Sequence, residues 1–407
     1  MGVNVIKLLL GRDVTHNEPV YLEASGARAV LICGKRGSGK SYTLGVFIEE
    51  LLAASGDALI PIIVDPIGVY HTMSLPNELQ RDDLFRWALN PRGHAVRLLV
   101  PGDPQLLYDS DVLRALRERQ VSVVSLRLNP ADLSPDGWCD LFNININQPL
   151  GIVLFRAAQS LGEKNPNFSV QDLAHAVETD ERASDTTQEA LLNRLEAARG
   201  WRIFSEDGYT PMDSIFQPGV VNVVDLSRLE SGPRGRRNLT ISIVARNLFR
   251  ARADARLREE FGLASPLPRI WLAIDEAHQF IPTGGSTLAK EQLVRWAKEG
   301  RQPGLSLIVA SQQPSAIDHE VLSQCDVILS HKLTTRDDVS ALNRLSQDYM
   351  GGELKTLISK LKRVGEAILV DDERETVHHL GIRPRQSRHG GSSITPVEEE
   401  RLDIWSV

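Results

Sequence analysis

The sequence predicts an α/β fold with a mainly parallel sheet, and three observations carry that expectation. Short apolar runs at Ala29–Cys33, Leu59–Val64 and Val96–Val100 lack strict alternation, the habit of strands covered on both faces. Between the first two, the stretch SYTLGVFIEELLAAS sets Leu44, Phe47, Ile48 and Leu51 at helical spacing and so completes a strand-helix-strand unit. A glycine-rich stretch from Gly34 to Ser41 occupies the strand-to-helix junction.

Runs of the same kind recur at Val220–Val224, Ile270–Ile274, Leu305–Ala310, Val327–Leu329 and Ala367–Val370. They assign the α/β core to residues 29–102 and 218–372, preceded by a short N-terminal β segment over 1–28. Residues 103–217 turn polar and helical, which predicts a mainly helical insertion with one strand at Val121–Leu128. Within it, Thr186 and Glu189 have the spacing of a capping box ahead of Leu191, Leu192 and Leu195. Residues 373–407, including RPRQSRHGGSSITPVEEER, read as a polar tail with no core of its own.

At 407 residues, with 42% apolar and 24% charged residues, the chain has the make-up of a globular protein larger than one typical domain. Its 5% aromatic content argues against a stacking platform for single-stranded nucleic acid. Cys33, Cys139 and Cys325 are widely separated and lie in or near apolar runs, the pattern of buried, reduced thiols. No run is long enough to span a membrane and no signal-peptide pattern opens the chain, so a cytoplasmic protein without membrane attachment is expected. A net charge of −7 requires any nucleic-acid contact to gather its basic groups on one surface, such as the pore of a ring.

The junction Gly34-Lys35-Arg36-Gly37-Ser38-Gly39-Lys40-Ser41 fits G-x-x-x-x-G-K-[ST] in the strand-loop-helix setting that the motif needs. Glycines let backbone N–H groups turn inward around phosphates, and the helix N-terminus adds partial positive charge. The pattern therefore predicts ATP binding by Gly34, Lys35, Arg36, Gly37, Ser38, Gly39, Lys40, Ser41 and the adjoining Tyr42. Lys40 is expected on the β- and γ-phosphates, and the Ser41 hydroxyl on Mg²⁺.

Asp275 and Glu276 end the apolar run that starts at Ile270, which presents two carboxylates at the carboxyl edge of the sheet. Asp275 is expected to hold Mg²⁺ through water, and Glu276 to orient and deprotonate the attacking water. The string Asp275-Glu276-Ala277-His278 spells DEAH, but the arginine-rich Q-x-x-G-R-x-G-R motif of superfamily-two helicases is absent. The N-K-x-D motif of GTPases and the L-S-G-G-Q motif of transporter ATPases are also absent, and His278 reads as a local structural residue. A RecA-like core carrying a large insertion is the fold that accommodates these motifs.

In order along the chain, GKRGSGKS, VDPIGVY, VVNVVDLSRL, LAIDEAHQFIP, AKEGRQPGLSLIVASQQPS, LSQCDVILSHKLTTRDD, GEAILV and RPRQSRHGG resemble the HerA-like branch of the HerA/FtsK superfamily of ring motors. The likeness runs from about Gly11 to Gly391. It implies an ATP-dependent DNA translocase or helicase assembled as a homo-oligomer, as a hexamer in this family, acting on double-stranded DNA with a nuclease or other effector protein. It implies further that Arg301 is an arginine finger reaching the neighbouring subunit's nucleotide, that Gln312 senses the γ-phosphate, and that Asp65 lies beside the nucleotide. The family's C-terminal segment implies that Arg383, Arg385 and Arg388 of the tail brace an adjacent subunit. Gln313 stands where relatives carry arginine. Where archaeal members have an N-terminal barrel that docks a nuclease, only the short β segment is expected here.

Arg234, Arg236 and Arg237 in SGPRGRRN are candidate contacts to DNA backbone phosphates, and Thr283-Gly284-Gly285-Ser286 is a candidate pore loop. Two other readings use the same motifs: a protein-secretion or conjugation ATPase, and a regulatory NTPase that assembles and switches a partner effector.

Overall fold

The computed structural model describes residues 5–206, 210–265, 267–345 and 353–391. Strands β1 (Lys7–Asp13) and β2 (Pro19–Glu23) form a hairpin, followed by β3 (Ala29–Cys33), α1 (Lys40–Ser55), β4 (Leu59–Asp65), α2 (Arg81–Arg86) and β5 (Val96–Pro101). The insertion contributes α3 (Pro104–Leu107), α4 (Ser110–Glu118), β6 (Val121–Leu126), α5 (Pro135–Leu141), α6 (Pro149–Lys164), α7 (Val170–Glu178), α8 (Asp185–Gly200) and α9 (Met212–Ile215). The chain continues through β7 (Val221–Asp225), α10 (Arg236–Glu260), β8 (Arg269–Ile274), α11 (Lys290–Glu299) and β9 (Leu305–Ser311). It ends with α12 (His319–Leu322), β10 (Val327–Ser330), α13 (Arg336–Leu345), α14 (Glu353–Lys360), β11 (Glu366–Asp371) and β12 (Thr376–Ile382).

All twelve strands join one sheet in the order β2-β1-β12-β11-β10-β3-β9-β8-β4-β7-β5-β6. From β10 to β6 every neighbouring pair is parallel, and from β10 out to β2 every pair is antiparallel. The unalternating apolar runs follow from burial on two faces. In β3, Leu31 and Cys33 enter one apolar layer while Val30 and Ile32 enter the other. Helix α1 covers the second layer through Leu44, Phe47, Ile48 and Leu51. The insertion covers the first layer, with Trp138, Leu154, Leu173, Leu191 and Leu195 packed beside Leu239, Ile243 and Leu248 of α10. The helical reading of 103–217 thus fits, but its strand β6 extends the core sheet by pairing in parallel with β5.

Two sequence expectations need correction. Helix α8 is capped by Ser184, whose side chain accepts from the Thr187 N–H, so Thr186 lies inside the helix; the capping box is at Ser169 and Asp172 on α7. The polar tail is not excluded from the core up to residue 391. Its segment Thr376–Ile382 is β12, and Arg383 and Arg385 are buried.

Both guanidiniums are taken up by this same chain. Arg383 pairs with Glu49 at 2.9 Å and with Glu50 at 2.8 Å, and Arg385 lies 3.7 Å from Glu49. Glu49 also accepts from the backbone N–H groups of Gln386 and Ser387 and from the Ser387 hydroxyl. Burial works to raise the Glu49 pKa, but the two arginines and Ser387 hold it below the ordinary range. Glycine at position 45 makes the approach possible, since a Cβ there would sit 2.4 Å from the Arg385 guanidinium carbon. Arg383 and Arg385 thus pin the tail to α1 within the chain, while Arg388 is exposed; residues 392–407 lie outside the described residues.

Cys33, Cys139 and Cys325 are free and buried, and burial raises all three thiol pKa values, to about 12 for Cys33 and about 11 for Cys139. Among the described residues no helix is long and apolar enough to cross a membrane.

Candidate functional site

The parallel register brings the carboxyl ends of β3, β8, β9 and β10 to one edge, with Cys33 opposite both Ser311 and Ser330, and Ile274 opposite Val309. The glycine-rich loop leaves β3 there and enters α1 at Lys40. Gly39 holds φ 113° and the α1 N-terminus has no side-chain cap, so its first N–H groups are open to an anion. Gly34 is required by crowding, because a Cβ would meet Ser38 Oγ at 2.4 Å and His331 Cβ at 2.6 Å.

Lys40 Nζ bonds Asp275 Oδ1 and lies 3.1 Å from Glu276 Oε1. Asp275 Oδ2 accepts from the Ser41 hydroxyl and from the Tyr70 hydroxyl, each at 2.8 Å. Burial works to raise the Asp275 pKa, but Lys40, Ser41 and Tyr70 together hold it below the usual carboxylate value. Glu276 takes the left-handed backbone conformation with φ 48°, a sparsely used region for a non-glycine residue. Its Oε1 accepts from Gln312 Nε2 at 2.7 Å, and its Oε2 lies 3.5 Å from His278 Nδ1.

These groups face a cavity of about 750 Å³. Lys35, Arg36, Gly37, Gly39, Lys40, Ser41, Tyr42, Glu276 and Gln312 are among the residues that line it. Asp275 and Ser38 are buried just beneath. A cation that prefers oxygen ligands fits the donor set, since Ser41 Oγ and an Asp275 oxygen already converge on one point.

Asp65 is set back from the cavity lining: its carboxylate accepts from the N–H groups of Ile67, Gly68 and Tyr70 and so closes its own turn. Burial, with Asp225 beside it, pushes its pKa up to about 7. The consequence is indirect: the turn it closes delivers Tyr70 to Asp275.

Of the three arginines of SGPRGRRN, Arg236 and Arg237 lie inside α10 and only Arg234 lies in the preceding loop. Arg236 starts α10 and pairs with Glu230. Arg237 donates to the Leu229 carbonyl and to Gln279. Arg234 is exposed, with Nε on the Asp140 carbonyl. The segment Thr283–Ser286 is exposed at all four residues.

Sequence reasoning gave no role to Tyr70, although the block VDPIGVY contained it, and missed His331. The His331 Nδ1 lies 2.9 Å from the Glu366 carbonyl and must donate to it, so Nε2 accepts from Thr43 Oγ1 at 2.8 Å. This ties the strands β10 and β11 to the first turn of α1. Burial pushes the His331 pKa down to about 4. Between pH 6.5 and 4 the unfolded chain binds a proton that the folded chain refuses. The contribution is therefore complete above pH 6.5 and is lost as pH falls toward 4. Relative to His331→Gln, the wild-type unfolding free energy is expected to drop by on the order of 3 kcal/mol between pH 7 and pH 4. Denaturant titrations across that range would show parallel curves if His331 were not buried in the neutral form.

Comparison with known proteins adds an independent line. The family described as "Helicase HerA, central domain" matches residues 8–246. A curated "DNA double-strand break repair helicase HerA" from Pyrococcus furiosus is 31% identical over 425 residues, covering 91% of this chain and 67% of that protein. The protein of the same name from Sulfurisphaera tokodaii is 26% identical over 316 residues, covering 72% of this chain and 60% of that protein. The chain thus spans 60% and 67% of the length of these two relatives. The solved structure of VirB4 of Thermoanaerobacter pseudethanolicus superposes with a TM-score of 0.57 at 16% identity, over 96% of this chain and 97% of that one, which shows a shared fold.

Proposed function

The chain belongs to the HerA helicase family, whose central domain matches more than half of it, and on that footing we propose that it is an ATP-driven DNA translocase working as a ring of identical subunits. The observation that carries the reading is that Lys40, Ser41, Glu276 and Gln312 line one cavity, with Asp275 buried beneath and bonded to Lys40 and Ser41.

In this reading Lys40 exchanges its carboxylate partners for the β- and γ-phosphates of ATP, and the α1 N-terminus takes the remaining phosphate charge. Ser41 and Asp275 would hold Mg²⁺, which would supply positive charge against the phosphates. Glu276 accepts a proton from the water that attacks the γ-phosphorus, and ADP leaves with the broken bridging bond's electrons. Gln312, already on Glu276, is placed to report whether the γ-phosphate is present.

Arg301 supports a ring. It follows α11 and precedes β9, at the opposite edge of the sheet from Gln312. Its side chain is exposed and has no ion pair among the described residues. A free guanidinium at that edge suits a neighbour's nucleotide. For DNA, the exposed Thr283–Ser286 loop and the exposed Arg234 are better candidates than Arg236 and Arg237, which are partly buried. A nuclease or other effector protein is the proposed working partner, by analogy with the double-strand break repair named for the relatives.

Steady-state ATP hydrolysis, measured with and without linear duplex DNA at moderate salt, tests the reading. DNA is expected to stimulate turnover, and Lys40→Ala to abolish it in both conditions. Hydrolysis indifferent to DNA would reject translocation and leave the regulatory NTPase reading in its place.

A further inference from the structure

The cavity extends well beyond what the triphosphate machinery uses. Besides Lys40, Glu276 and Gln312, its lining includes Trp87, Ile382 and Pro384. We propose that Trp87 is the stacking platform for a purine base bound in this cavity. The proposal rests on the ATP-binding reading above and specifies which part of the chain recognises the nucleoside.

Trp87 is held for such a role. It caps α2, with its N–H on the Leu84 carbonyl, and the next residue, Ala88, turns the chain out of the helix at φ 55°. The Arg12 guanidinium carbon sits 4.4 Å from the indole centroid, so one face of the ring is covered by a cation. Arg12 is fixed in turn by the sheet, opposite Gly381 on β12. The neighbouring Ile382 continues that strand into the cavity wall. The indole is half-buried, and its accessible surface lines the cavity. A flat apolar ring covered on one face by a guanidinium, in a cavity whose lining also holds Ile382 and Pro384, can stack another flat ring.

The platform is also linked to the phosphate loop. The Tyr42 hydroxyl donates to Gln80 Oε1 at 2.7 Å, joining the first turn of α1 to the segment that leads into α2. The same hydroxyl accepts from the Arg385 N–H, which draws in the chain following Pro384. Tyr42 thereby ties the phosphate loop's helix to the segment that carries Trp87 and to the chain after Pro384. A purine has the larger face to stack, so purine nucleotides are bound in preference to pyrimidine nucleotides.

Calorimetric titration of the full chain with ATP, CTP and inorganic tripolyphosphate tests this. In the wild type ATP binds more tightly than CTP. Trp87→Leu is expected to weaken ATP about tenfold, a typical loss for one base–aromatic stack, while tripolyphosphate affinity stays within about twofold. Trp87→Phe, which keeps a smaller ring, is expected to fall between the two for ATP and to leave tripolyphosphate unchanged. Equal weakening of ATP and tripolyphosphate in both variants would make Trp87 a purely structural residue and overturn the proposal. Unchanged ATP affinity in Trp87→Leu would place the base elsewhere and overturn it as well. A wild-type chain that binds neither ligand would instead reject the ATP-binding reading on which the proposal stands.

Discussion

Glu276→Gln is expected to lower ATP turnover by about 10²–10⁴-fold, the range in which positioned general bases act, while ATP affinity changes by no more than a few-fold. The separation of the two effects follows from the geometry. Lys40 and Ser41 belong to the phosphate loop, whereas Glu276 follows β8 and contacts Lys40 at 3.1 Å. Glutamine keeps the size of glutamate and one oxygen that can still accept from Gln312, now at 2.7 Å. It loses the basic oxygen that would take the proton from the attacking water. Lys40→Ala should behave differently, because it removes a positive charge from the phosphates themselves and costs binding along with turnover. Equilibrium binding beside single-turnover hydrolysis resolves the two variants. Turnover close to wild type in Glu276→Gln would remove Glu276 from the chemistry. A joint collapse of binding and turnover would show that its carboxylate serves the fold of the site, where it also constrains a strained backbone at φ 48°.

Much of this architecture was legible because the signals were local. A parallel strand buried on both faces writes itself as a continuous apolar run, and each such run became a strand within a residue or two of the expected bounds. The phosphate loop is a contiguous motif whose glycines answer to backbone conformation and crowding within a few residues, apart from His331. Asp275 and Glu276 were legible as the end of a strand, and Gln312 through the family resemblance alone.

What escaped depends on partners distant in sequence. Arginines are rarely buried, so RPRQSR reads as solvated tail; its actual partner, Glu49, is 334 residues before Arg383. His331 and Trp87 acquire meaning only from Thr43, Glu366 and Arg12, none of them sequence neighbours. Asp65 carried the opposite hazard. An acid at the end of a strand beside a nucleotide loop resembles a ligand, yet three backbone donors in the following turn satisfy it. The capping error had a similar source, since Ser184 and Thr186 both suit an N-cap and only the path of the preceding chain separates them.

Arg301→Ala is expected to lower turnover by about 10³–10⁵-fold, the effect of an arginine supplied to a transferring phosphoryl, with ATP affinity less affected. Within one subunit this residue has no route to the chemistry. It precedes β9, whose seven residues span roughly 23 Å at the usual strand rise, and Gln312 lies just beyond the far end. If it acts on a transferring phosphoryl, that phosphoryl would belong to the nucleotide of another copy. Such a relation would be head-to-tail, because the surface that gives Arg301 differs from the surface that receives it, and such contacts close into rings when the rotation permits. A mixing experiment follows directly. Arg301→Ala subunits retain an intact phosphate site but give no finger, whereas Lys40→Ala subunits give the finger but cannot use one. Each alone should be nearly inactive. Combined in equal amounts, with mixed assembly verified by co-purification of two different tags, about a quarter of random interfaces place an intact site against an intact finger. Activity should rise to a comparable fraction of wild type. Mixed assemblies that stay as inactive as their parents would show that Arg301 serves its own subunit through the fold, and would remove the argument that hydrolysis depends on a neighbour.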